Sequence, residues 1–243
     1  MINTLFSFVN GEGLQTFTTW HYILLIVSFT CLNYMVKHQL ENKTVEKVAT
    51  IVLWVFQLSL YGWYIVGPES FWRLALPLYT CRIVLYLFTI GVFFNNKFCL
   101  KLGSYWGFYG GIAGLIFPTM FKYPFPHILQ ITTILLHVYI LLMSGNYLFV
   151  KKIGSTKSDV KTCCVITTLL LIFNTIINFI FGTNYTSTTR MPVQLMMIGI
   201  NIPPYLCCAA VIAGYLFVTI FQHFVVESYT KKSLEKSENK EMV

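Results

Sequence analysis

The chain holds 243 residues, 56% of them apolar and only 11% charged, and its mean hydropathy of +0.66 excludes a soluble globular protein. The net charge of +8 does not point to nucleic acid: the basic residues are spread over short loops and a tail that also carries Glu235, Glu238 and Glu241, which serves topology and contact with anionic lipid. Seven cysteines without CxxC spacing argue against a zinc site or a disulfide framework, and no metal or other cofactor is called for.

Residues 1–19 carry no Lys or Arg and so lack the positive n-region of a cleavable signal, which leaves the first apolar run, 20–36, as a retained span. Further runs able to cross the roughly 30 Å hydrocarbon core, about 20 residues each, lie at 48–66, 74–94, 103–120, 126–149, 162–182 and 202–226. The pattern predicts an all-α, polytopic seven-transmembrane helix bundle, one membrane domain over 1–226, with a charged, disordered cytoplasmic tail at 227–243. Thirteen lysines fall in one set of loops and the tail, against Arg73, Lys122 and Arg190 in the other set. Because Lys and Arg in short loops stay in the cytoplasm, the N-terminus is expected outside and the C-terminus inside.

The third run contains Arg82, and no predicted span offers a carboxylate to neutralise it. A charge at that depth costs at least ~2.5–3.5 kcal/mol, so its partner is expected to be an anion or polar groups from elsewhere, a lipid phosphate being the obvious candidate. Cys81 lies beside it, and a thiol next to a fixed positive charge reads as a chemical site first and as packing second. Pro77, four residues earlier, is expected to bend the helix near that site.

The fourth run places Gly103, Gly107 and Gly111 on one four-residue ladder and Gly110 and Gly114 on a neighbouring one, which predicts a tightly packed central helix. In the fifth, His127, Gln130 and His137 fall on one face. The sixth carries Asn174 and Asn178. Counted from the outer ends of their spans, Cys81, Asn174 and His137 lie roughly 10, 12 and 15 Å deep, in one layer of the outer half of the bilayer. A Cys and a His in hydrogen-bond reach form a nucleophile and its base, Arg82 can hold a phosphate or a developing negative charge, and Asn174 or Asn178 can orient the imidazole or donate to an oxyanion. The acyl esters most available in a bilayer belong to phospholipids, so the expected chemistry is an acyl-Cys thioester followed by transfer to a lysolipid, another lipid-like acceptor or water.

These residues also carry a resemblance. Leu76-Pro77-Leu78-Tyr79-Thr80-Cys81, Tyr105-Trp106-Gly107, Pro126-His127 with Gln130 and His137, and Gly182-Thr183-Asn184-Tyr185 with Pro192 resemble the YwaF-like bacterial integral membrane proteins, a group similar to animal transmembrane protein 164, a phospholipid acyltransferase. The match runs from about Leu74 to Pro192; the first two spans and the seventh agree only in hydropathy. The resemblance implies a multi-pass protein of a bacterial cell membrane, membrane phospholipids and a lipid acyl acceptor as partners, and Cys81 and His137 as the catalytic pair. His127, within the Pro-His pattern, serves instead or anchors the head-group end. Arg82, His127, Gln130, Asn174, Asn184 and Tyr185 are the expected substrate-binding residues, with the 182–185 loop at the outer surface.

Three other readings use the same residues. A hydrolase differs only in its acceptor. A proton-coupled transporter is weakened because all nine acidic residues lie outside the spans or at their ends, and a retinal protein is set aside because no span contains a lysine. A non-catalytic lipid-binding accessory makes Cys81 a packing residue and Arg82 a lipid anchor.

Overall fold

The computed structural model describes residues 2–9, 17–67, 75–118, 123–153, 156–191 and 199–241; Arg73, Lys122 and Pro192 lie outside them. Among the described residues there is no strand, and seven helices follow the seven apolar runs. These are α1 (Thr19–Lys37), α2 (Lys43–Val66), α3 (Thr80–Phe94), α4 (Lys97–Ile116), α5 (Ile128–Gly145), α6 (Lys157–Phe181) and α7 (Pro204–Glu241). A short turn of helix at Ile2–Leu5 and a 3-10 turn at Tyr185–Ser187 complete the helical elements.

Local chemistry sets the helix ends. The Asn42 carboxamide accepts from the Thr44 and Val45 N–H groups at the start of α2, and Asn96 accepts from Cys99 N–H at the start of α4. Asn95, left-handed at φ 53°, ends α3 immediately before that cap, so two asparagines turn the chain from one helix into the next. A capping box of Thr156 and Asp159 opens α6, and Gly182, at φ 63°, closes it.

Five helices are long and apolar enough to cross a bilayer: α1, α2, α5 with its extension to Val150, α6, and α7 over Pro204–Ser233. Their outward faces leave large apolar side chains such as Ile26, Leu169, Phe179 and Phe217 uncovered, as lipid-facing helices do. The 15 residues of α3 give it a length of about 22 Å, short of the hydrocarbon core. The reason is that the run beginning at 74 is helical only from Thr80; hydropathy does not distinguish an apolar turn from an apolar helix. Pro77 therefore precedes α3 rather than bending it from within, which suits a residue that lacks an N–H and disfavours helix in its predecessor.

The core lies between α3, α4 and α5, where Val84, Leu85, Phe88, Tyr105, Trp106, Ile140 and Leu148 are buried. Glycine makes this possible: a Cβ on Gly107 would stand 2.2 Å from Ser144 Oγ, and one on Gly111 2.9 Å from the Leu141 backbone nitrogen. Gly110 contributes no such contact, having nothing within 4 Å of its Cβ position.

At the Phe93 end of the bundle, α5 runs into a π turn at Asn146–Val150, closed by Lys151 N–H donating to the Asn146 carbonyl at 2.9 Å. The turn aims Asn146, Tyr147 and Lys151 at Glu46 of α2, whose carboxylate is buried. Asn146 Nδ2 donates to it at 2.9 Å and Tyr147 OH at 2.6 Å, and Lys151 forms an ion pair with it. α7 does not stop where its apolar run does at 226. It continues helical to Glu241, with Glu227 pairing to Lys231 at 3.0 Å and Ser233 accepting from Lys152 Nζ at 3.0 Å.

Candidate active site

Cys81 owes its position to the turn that precedes α3. Tyr79, with extended backbone angles of −71° and 130°, is the N-cap and offers no side-chain bond to the helix, so Cys81 is the second helical residue. N–H groups at the start of a helix have no acceptor four residues back; that of Arg82 donates to the Tyr79 carbonyl at 2.9 Å instead, which leaves those of Thr80 and Cys81 beside the thiol. The turn is pinned from two directions. Asn174 Nδ2 donates to the Leu78 carbonyl at 3.0 Å, and Arg82 Nη1 reaches the Leu76 carbonyl at 3.5 Å.

The Cys81 thiol lies within hydrogen-bonding reach of the His137 imidazole. His137 Nδ1 is 2.7 Å from the Thr133 carbonyl. A carbonyl only accepts, so Nδ1 carries the proton and Nε2, on the other side of the ring, presents its lone pair. Both side chains keep partial exposure.

Arg82 lies against a wall of tyrosines. Its guanidinium carbon lies 5.8, 5.7 and 5.2 Å from the ring centres of Tyr61, Tyr64 and Tyr79, within cation–π range, and Nη2 donates to Tyr64 OH at 3.5 Å. At 7% exposure it is buried.

Asn174 also donates to Thr186 Oγ1 at 3.1 Å, which ties the 182–191 loop to the base of the turn. Asn178 organises that loop rather than the imidazole. Its amide donates to the Tyr185 carbonyl and Thr188 Oγ1, and its oxygen accepts from Tyr185 N–H and Thr183 Oγ1. Asn184 does the same locally, accepting from the Thr189 and Arg190 N–H groups. Tyr185 is not at the surface but fully buried, edge-on to Tyr79 at 4.9 Å, and burial pushes its phenol up to about 12.

His127 and Gln130 belong to a separate cluster. His127 caps α5 by accepting from Leu129 N–H at Nδ1, and its Nε2–H donates to the Ser7 carbonyl at 3.0 Å. Its ring is stacked on Tyr123 at 4.4 Å and meets Trp63 edge-on at 5.0 Å. Gln130 Nε2 donates to the Tyr123 carbonyl at 2.7 Å. Ten residues of helix place His127 about 15 Å from His137, with both ring nitrogens engaged.

The structure adds residues that the sequence did not single out. Tyr215 of α7 lies with its hydroxyl 3.4 Å from Thr80 Oγ1 and its ring against Tyr109 at 5.3 Å, walling the pair on the α7 side. Tyr61 and Tyr64 stand three residues apart, so their common face was legible, although its partner was not.

A helical bundle with uncovered apolar outer faces, enclosing a thiol and an imidazole in mutual reach, defines a polytopic membrane protein with a candidate Cys–His site. The chain belongs to the TMEM164 family, whose model matches residues 15–221, a stretch that includes Cys81, His137 and every side chain described around them. Comparison with curated proteins and with solved structures gives no significant match.

Proposed function

We propose that this protein is a membrane-embedded acyltransferase that moves a fatty acyl chain from a phospholipid to a lipid acceptor through an acyl-Cys81 intermediate. The observation that carries this reading is the partly exposed Cys81 thiol facing an imidazole whose other nitrogen is tied to a carbonyl. His137 Nε2 takes the thiol proton as sulfur attacks the ester carbonyl. The tetrahedral oxyanion is met by the N–H groups of Thr80 and Cys81 at the start of α3, with the caged Arg82 guanidinium adding positive charge nearby. Collapse expels the glyceryl oxygen, which takes the proton from His137 and leaves as a lysolipid. The acceptor hydroxyl then gives its proton to His137 as it attacks the thioester and displaces the Cys81 thiolate, which takes that proton back from His137.

In this reading all seven apolar runs span the membrane, α3 together with the turn at 75–79 that precedes it; the N-terminus is outside, the lysine-rich loops and C-terminus are cytoplasmic, and the site opens toward the outer leaflet of a bacterial cell membrane. The test is incubation of purified protein with a phospholipid bearing an alkyne-tagged acyl chain. Hydroxylamine-sensitive label on the intact protein, absent from Cys81→Ala, is the expected result. Absence of label from both, while phospholipid still raises the melting temperature, overturns it in favour of a binding role. Tagged free fatty acid as the sole product identifies water as the acceptor.

A further inference from the structure

Three glycines close together on α4 meet different surroundings. A Cβ on Gly110 finds nothing within 4 Å; one on Gly111 runs into the Leu141 backbone at 2.9 Å. A Cβ on Gly114 would stand 1.9 Å from Cδ2 and 2.1 Å from Nε2 of His137, which is inside the imidazole's own volume. The ring therefore occupies the space that any other residue at 114 would fill with its side chain.

The backbone at that point is itself held. Leu115, the next residue, accepts through its carbonyl from Nε2–H of His21 at 2.7 Å, and His21 Nδ1 accepts from Phe17 N–H at 2.9 Å. His21 is completely buried. On its opposite edge the His137 ring is bonded to the Thr133 carbonyl. The imidazole is thus seated between a fixed carbonyl on α5 and a bare stretch of α4 that α1 secures.

We propose that Gly114 is a positioning residue: the absence of a side chain there seats the His137 imidazole where it reaches Cys81. The inference rests on the Cys–His reading above. Carbon atoms in contact sit about 3.5–4.0 Å apart, so a methyl group at 114 displaces the ring by well over 1 Å. It then either breaks the Thr133 bond or carries Nε2 away from the thiol, and a misplacement of that size costs on the order of 10²-fold in rate.

The experiment compares the parent protein with Gly114→Ala, Gly110→Ala and His137→Ala in lipid nanodiscs. It follows alkylation of Cys81 by iodoacetamide at pH 7 and pH 9, by mass spectrometry of its peptide, together with melting temperature. Gly114→Ala is expected to slow alkylation at pH 7 by about tenfold or more and to recover most of that loss at pH 9, where a thiol ionises without help. Gly110→Ala is expected to match the parent. A merely structural role does not produce a loss that alkali repairs, so equal slowing at both pH values, or no slowing, overturns the proposal. If Gly114→Ala does not fold, the double variant with His137→Ala is expected to fold, because the clashing ring is gone; failure of both overturns it. His137→Ala separates the two readings. Parent-like alkylation in that variant defeats the Cys–His pair itself, whereas slow alkylation there with a normal Gly114→Ala defeats only the seat.

Discussion

The two ends of the α3–α5 core each hold a polar cluster, and they are built to opposite specifications. At the Phe93 end, Glu46 is 4% exposed and receives an amide, a phenol and an ammonium, so the carboxylate is matched by donors and closed from solvent. At the Thr80 end, the Cys81 thiol faces one nitrogen of His137, both side chains stay partly exposed, and the backbone donors beside them are uncapped. Saturation marks the first cluster as a clamp between α2 and α5. Unused capacity marks the second as a place where something else binds.

Substitutions can test that contrast, beginning with the largest effect. His137→Ala is expected to lower acyl transfer by about 10²–10⁴-fold, the range of a general base, with little change in melting temperature; a parallel collapse of stability would make the imidazole a packing group. Glu46→Ala is expected to do the reverse. It strands the Lys151 ammonium and costs about 3–5 kcal/mol in denaturant unfolding, while activity per folded molecule holds. Asn174→Ala lies between the two. It removes the bond to the Leu78 carbonyl, and its expected cost is about 1–3 kcal/mol together with a fall in kcat as the turn before Cys81 loosens; a change in stability alone would detach the turn from catalysis. Lys101→Ala breaks the pair with Asp159 at 2.7 Å, where the lysine is 35% exposed. Its effect is expected to stay within about 1 kcal/mol, measured by the same unfolding curve.

Tyr185 supplies a pH test of the loop. Its phenol, ordinarily near 10.0, is raised to about 12 by burial, so the folded protein prefers it neutral. The stability this gives is fully present below pH 10 and is lost as the pH rises toward 12. Tyr185→Phe is expected to flatten that part of the curve of melting temperature against pH, and an unchanged curve would show the phenol to be solvated.

Much of the architecture was legible because hydropathy and glycine spacing are one-dimensional signals. Seven runs became seven helices, and Gly107 and Gly111 lie where two backbones approach. The start of α3 was not legible, since residues 75–79 are as apolar as the helix they precede and only their partners, Asn174 and Arg82, turn them. His127 and His137 also look alike in sequence. What separates them is the Ser7 carbonyl, contributed from 120 residues away. Gly114 shows the limit from the other side: a sequence records a missing side chain without naming what fills the gap.

The π turn at Asn146–Val150 fixes how the chain can change in length. Its bonds span one residue more than those of an α-helix, so deleting a single residue there would restore ordinary winding. The wide turn that aims Tyr147 and Lys151 at Glu46 would be lost. The segment therefore tolerates exchange of residues far better than loss of one, and its length is as much a part of the fold's specification as its composition.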